Sequence, residues 1–194
     1  MDIAGFFAKV DLADLVIFAY LFGWFVLGFG QGAVRRVLGI LTISFSFFLA
    51  AQLNVYVGPF LATHWTQFPV SYSEMIGFGA LFAAGAVAFA LIVQGTYGRV
   101  AVFAAHPIVD EVVGGVLGLI QGGLILVFVL VILDQFFLGA APVASSSELP
   151  ILRPLWTGID GSWTGALLHA TVIPGLITVA GLLIPSAVQA TYGR

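Results

Sequence analysis

The chain has 194 residues, of which 61% are hydrophobic and only 8% charged, and its net charge is −3. A soluble globular domain carries about 25% charged residues, so this composition excludes a soluble enzyme. The absence of cysteine excludes a disulfide scaffold, and the acidic balance excludes nucleic acid as a partner. The composition indicates an all-α, polytopic integral membrane protein whose surroundings are the lipid bilayer.

Long uncharged stretches divide the chain into candidate spans. A helix that crosses the bilayer needs about 20 apolar residues. We predict four spans, at about residues 14–32, 37–57, 74–97 and 112–133. Gly58-Pro59 is expected to break the second span. Together the four spans form one membrane domain over residues 1–135.

The remainder of the chain differs in composition from the four spans. Residues 136–162 are rich in serine, proline and glycine, which predicts an extracytoplasmic loop. Residues 163–194 form a C-terminal hydrophobic segment, which Pro174 and Pro185 divide into pieces of about ten residues. Three interpretations stay open for this segment: a fifth span, a re-entrant segment or an interfacial segment.

The basic residues predict an orientation. Arg35 and Arg36 lie between spans one and two, and Arg99 lies between spans three and four. Because cytoplasmic loops carry an excess of lysine and arginine, both loops are expected in the cytoplasm. The N-terminus is then expected outside it.

Glycines recur at four-residue intervals in two spans. Gly114, Gly118 and Gly122 follow this spacing in span four, and Gly28 and Gly32 repeat it at the end of span one. Residues four apart share a helix face, and small residues let membrane helices approach closely. The pattern predicts packing within the bundle or, alternatively, a homo-oligomer or membrane-protein partner on the glycine face of span four.

Three glutamines, Gln31, Gln94 and Gln121, lie within or near the spans. Buried amides form hydrogen bonds between membrane helices, so these side chains either join spans or line a polar path. A polar path would make the protein a small transporter or channel. This is the alternative function that the sequence leaves open.

The charged and nucleophilic residues do not form a catalytic pattern. Asp14, Asp110, Glu111 and Asp134 flank the spans, where a charge at headgroup level is inexpensive. The three histidines are spread along the chain without metal-ligand spacing, and neither a nucleophile motif nor a phosphate-binding loop is present. We therefore expect no enzyme, no metal and no cofactor.

Two stretches resemble the colicin V production protein (CvpA) family. Residues 31–38, Gln-Gly-Ala-Val-Arg-Arg-Val-Leu, resemble the Arg-Gly-Phe-Val-Arg-Glu-Ala-Leu turn after that family's first span. Residues 110–122 resemble its Asp-Arg-x-x-Gly-x-x-x-Gly-x-x-Arg-Gly stretch. The matching positions are Asp14, Gly32, Arg35, Asp110, Gly114, Gly118 and Gly122.

Four positions depart from the family pattern. Gln31 and Gln121 stand where the family often has arginine, Arg36 where it often has glutamate, and Glu111 where it often has arginine. The resemblance implies a bacterial inner-membrane protein of about four spans. It also implies an accessory or scaffold role in the production or secretion of a colicin V-type toxin and in envelope homeostasis.

Overall fold

A computed structural model describes residues 11–96, 107–140 and 148–192, and no strand occurs among them. Four long helices build the bundle: α1 (Leu12–Gln31), α2 (Ala33–His64), α3 (Val70–Thr96) and α4 (Pro107–Phe137). Within these described residues, five helical segments are long and apolar enough to cross a membrane, the fifth being Trp163–Leu183. The prediction of an all-α, polytopic membrane protein is confirmed.

The long helices pack in two pairs. α1 packs along α4, while α2 packs along α3 and also against α4. α1 and α2 make few contacts with each other, although Gly32 alone separates them. Gly32 has a φ of +79°, and a Cβ there would lie 2.4 Å from Oδ2 of Asp110. Only glycine fits this turn, which sends α2 away from α1 and leaves a cleft between them.

Two glycine positions explain why α2 continues beyond its predicted end. The predicted break at Gly58-Pro59 is wrong, because α2 runs on to His64. A Cβ on Gly77 of α3 would lie 3.8 Å from the Gly58 Cα, so α3 supports α2 closely at this point. Proline inside a membrane helix is tolerated where neighbouring groups compensate the missing hydrogen bond.

The region after α4 is more helical than predicted. The expected loop over 136–162 contains a helix, α5 (Leu152–Asp160). The C-terminal segment then comprises α6 (Trp163–Leu167), a π-helical turn (Leu168–Val172), α7 (Ile173–Ala180), a 3-10 turn (Gly181–Leu183) and α8 (Ser186–Ala190).

Pro174 does not divide this segment, contrary to the prediction. It lies in the first turn of α7, directly after the π-helical turn. The proline cannot donate to the preceding turn, and the π-helical turn directly before it, in which the Ile173 N–H donates to the Leu168 carbonyl, accommodates the missing hydrogen bond. The apolar segment is therefore a nearly continuous helix up to the residues before Pro185.

Both ends of the C-terminal segment contact the same end of the bundle. The Thr164 backbone N–H donates to Asp14, near the start of α1, at 2.9 Å. Nineteen residues later, the Leu183 carbonyl accepts from Nε2 of Gln52 in α2 at 2.9 Å. α2 runs in the same direction as α4, because Arg36 contacts Gln121 and Phe47 stacks on Phe128 at 4.1 Å. Gln52 follows Phe47 in α2 and therefore lies closer than Phe47 to the C-terminal end of α4. The segment lies across the end that contains Asp134, opposite to the Gly32 turn.

Candidate functional site

A cleft of about 250 Å³ lies between α1 and the paired helices α2 and α3. All four long helices contribute to its lining: Trp24, Leu27, Gln31, Arg35, Arg36, Gly39, Thr42, Ile43, Ala86, Ala90, Val93 and Gln121. Most of these side chains are apolar or small. The charged and amide groups are few and gather around one residue of α2.

Arg36 is that residue, and it is only 3% exposed. Its Nη1 donates to Oε1 of Gln121 at 2.9 Å, and its guanidinium lies 5.2 Å from the centre of the Trp24 ring. Its Nε is buried and has no hydrogen-bond partner among the residues that the structure describes. The interpretation of Arg36 as part of a loop between spans is wrong, because it lies inside α2 and points into the bundle.

The Arg36–Gln121 pair lies deep in the bundle. Gln121 lies about midway along α4 between Asp110 and Asp134. Among residues 11–96, 107–140 and 148–192, no carboxylate forms an ion pair with Arg36. A charged side chain at membrane depth is costly unless it is paired. The arrangement leaves a cation whose charge no described residue neutralises.

The cleft is closed toward the Asp134 end. Beyond Ile43, the fully buried rings of Phe47 and Phe128 stack on each other. Gln31 lines the same cleft as Gln121, so two of the three predicted polar-path residues come together. The side chain of Gln94 lies outside the described residues. The cleft has the geometry of a binding pocket rather than a continuous channel.

The glycine face of α4 packs against α1 of the same chain. A Cβ on Gly28 would lie 2.2 Å from the Gly114 carbonyl oxygen, and one on Gly118 would lie 2.3 Å from the Trp24 carbonyl oxygen. A Cβ on Gly122 would meet the Trp24 ring at 2.8 Å. The two backbones are in direct contact, so another chain would have to displace α1 to use this face.

Asp14 anchors the C-terminal segment. Its carboxylate is fully buried and accepts from the Trp163 N–H at 3.1 Å, the Thr164 N–H at 2.9 Å and the Thr164 hydroxyl at 2.7 Å. The Asp11 N–H also donates to it at 3.2 Å. Because the first N–H groups of a helix lack partners within the helix, an acceptor from α1 satisfies them. Asp14 lies at the end of a span, as predicted. Its hydrogen-bond partners are the first N–H groups of α6.

Asp134 is the second buried anchor. It lies in the last turn of α4, at the predicted span end, but it is fully buried rather than placed at headgroup level. Its carboxylate accepts from Trp156 at 2.8 Å and from the Tyr192 hydroxyl at 2.5 Å, and it lies 2.8 Å from Nε2 of His169. Burial, together with the Asp134 charge and hydrogen bond, raises the pKa of Tyr192. This cluster joins α4, α5 and the C-terminal segment.

The remaining predicted residues lie at the Gly32 end. Asp110 is 8% exposed and lies beside Gly32, and its buried Oδ1 has no hydrogen-bond partner within the described parts of the chain. Arg35 is exposed at the rim of the cleft, and Glu111 is half-buried. In the part of the chain that the structure describes, no group of side chains could hold a metal ion.

The location of Arg36 inside α2, rather than in a loop, was not predicted from the sequence. A signal was available, because Gly32 is the single turn residue between two long apolar helices. A turn of one residue places Arg36 within the first turn of α2 rather than in a loop. Its pairing with Gln121 depends on how distant helices pack, which no local pattern predicts.

Comparison with known proteins gives one match. The family model described as "Colicin V production protein" matches residues 13–155, which include the whole cleft and the buried Asp14, Asp110 and Asp134. No curated protein and no solved structure matches the chain.

Proposed function

Because the chain belongs to the colicin V production protein family, we propose that it is an accessory or scaffold factor in the production or secretion of a colicin V-type toxin. The proposal extends to envelope homeostasis and to a place in the bacterial inner membrane with the N-terminus outside the cytoplasm. The role is non-enzymatic. The working site is the cleft around Arg36.

The observation that supports this site is the buried guanidinium of Arg36. Replacing a buried charge by a well-packed apolar group is often neutral or stabilising, so packing alone does not explain an arginine here. An ionisable side chain inside a membrane bundle is by default a hypothesis for a functional site. Arg36 also borders open space in the cleft rather than a packed interface.

The second candidate is a small membrane transporter with a glutamine-lined path. The observation in its favour is that Gln31 and Gln121 line one cleft. Against it, the stacked rings of Phe47 and Phe128 close the cleft toward the Asp134 end. A transporter would have to separate these rings, whereas an accessory factor that binds a molecule in the cleft would not.

The proposal is tested by measuring how much toxin is released by producing cells from which the gene has been deleted. Cells would be complemented with the wild type, Arg36→Gln or Arg35→Gln, and the zone of growth inhibition of a sensitive strain measured. We expect the wild type to restore release and Arg36→Gln to fail at equal protein abundance. Arg35→Gln removes the same charge one residue away, from an exposed side chain at the rim of the cleft, and should reduce the release less than Arg36→Gln does. Unchanged toxin release in cells without the gene would contradict the proposed role.

A further inference from the structure

The cleft around Arg36 combines a buried cation with apolar walls. The guanidinium is almost fully buried, and no described residue forms a hydrogen bond with its Nε. Gln121 accepts one of its hydrogen bonds, at 2.9 Å. An arginine presents five N–H groups in a planar fork, so this side chain retains unused donors.

The charge of Arg36 has no counterpart among the described residues. Asp110 lies at the Gly32 turn, but it forms no ion pair with Arg36. The other basic residue at the cleft, Arg35, has the same sign of charge. The site therefore attracts anions, and the guanidinium geometry suits the two oxygens of a phosphate or carboxylate.

The walls of the cleft favour an amphiphile. Leu27, Ile43 and Val93 are apolar, and Ala86 and Ala90 are small. Because α1 and α2 diverge from Gly32, the cleft lies at the gap between two membrane helices. An acyl chain can pack against such walls, while a free inorganic anion would leave them uncovered.

We propose that the Arg36 cleft binds the phosphate group of an anionic phospholipid, with an acyl chain along the α1 and α3 walls. The Arg36 guanidinium binds the phosphate oxygens, and the Gln121 carbonyl holds the guanidinium in place. The proposal rests on the site of the proposed function but not on toxin secretion. The two can fail separately, because lipid binding is measured on the purified protein alone.

Native mass spectrometry of the delipidated protein in detergent tests this inference. The probes are dioleoylphosphatidylglycerol, dioleoylphosphatidylcholine and inorganic phosphate. We expect one phosphatidylglycerol to bind more tightly than the others, and binding to weaken about tenfold in Arg36→Gln, because a charge-assisted pair is lost. Arg36→Lys keeps the charge without the fork and should bind with intermediate affinity.

Two steric variants keep the test independent of the arginine. Ala90→Leu fills the cleft and should abolish tight lipid binding, whereas Ala88→Leu adds the same side chain at an exposed position of α3 and should not. Equal phosphatidylglycerol binding by the wild type and Arg36→Gln would overturn the site. The assignment to a lipid would be overturned if inorganic phosphate bound as tightly as the lipid. It would also be overturned if a peptide with a free C-terminal carboxylate displaced the lipid.

Discussion

The guanidinium of Arg36 donates to the side-chain carbonyl of Gln121 at 2.9 Å, across 85 residues of sequence. The pair joins α2 to α4 in the interior of the bundle. Its donor is charged and its acceptor is neutral, so the hydrogen bond does not neutralise the charge. A hydrogen bond of this kind holds the guanidinium in position but leaves its charge without a counterion. This is what a binding site for an anion requires, whereas a purely structural contact does not need the charge.

The first prediction concerns the stability of this pair. Arg36→Met together with Gln121→Leu should keep the bundle at least as stable as the wild type, with a gain of up to about 1–4 kcal/mol, because buried polar and charged groups are replaced by apolar ones. Thermal unfolding of the purified protein in detergent measures this. A large loss of stability in the double variant would mean that the pair is structural.

The second prediction concerns the glycine face of α4. Gly118→Leu should lower the stability of the bundle by at least about 1–3 kcal/mol. The reason is that the leucine side chain would overlap the Trp24 backbone. Gly123→Leu is the matched control, since nothing lies within 4 Å of a Cβ at that position. Melting temperature and cellular abundance measure the effect. Equal behaviour of the two variants would show that α1 and α4 are not packed as described.

The third prediction uses the raised pKa of Tyr192. A folded-state pKa above that of the unfolded chain means that the protonated tyrosine contributes stability below about pH 10, which is lost as the pH rises further. The wild type should therefore exceed Tyr192→Phe in melting temperature at pH 7 to 9. The difference should shrink above about pH 10. A difference that stays constant with pH would exclude the hydrogen bond to Asp134 as its cause.

The fourth prediction concerns the topology of the C-terminal segment. Since its two ends bind Asp14 and Gln52 at one end of the bundle, reporters fused after Ser147 and after Arg194 should report the same side of the membrane. A reporter after Arg99 should report the opposite side. If the reporter after Arg194 agreed with the one after Arg99, the segment would cross the membrane as a fifth span.

Much of the fold was predictable because it depends on local patterns. Long uncharged stretches predicted the four main helices, and regular glycine spacing predicted a face for close packing. The family resemblance is confirmed by the match over residues 13–155. The helix through Pro59 and the burial of Asp134 were not predictable. The Asp134 carboxylate owes its burial to Trp156, His169 and Tyr192, which lie 22 to 58 residues away in the chain.

The departures from the family pattern gain a physical explanation from the contact between positions 36 and 121. The resemblance gives a glutamate and an arginine at these positions in many members, which would be an opposite pair of charges in contact. Here Arg36 and Gln121 occupy them. The cation of this pair therefore lies on α2 here, whereas the resemblance implies a cation on α4. Because Gln31 in the same cleft also stands where the family often has arginine, the net charge of the cleft lining is the same in the two patterns.

Access of charged reagents to the cleft is the most direct test that the buried Arg36 makes the cleft electrostatically positive. The chain has no cysteine, so Thr42→Cys would place a single thiol in the cleft lining. Its modification by an anionic and a cationic methanethiosulfonate would be timed in delipidated detergent solution. The anionic reagent is predicted to react about tenfold faster, because a positive cleft concentrates anions, and Arg36→Gln should abolish this preference. Equal rates for both reagents, or a preference that survives Arg36→Gln, would contradict an anion-binding cleft at Arg36.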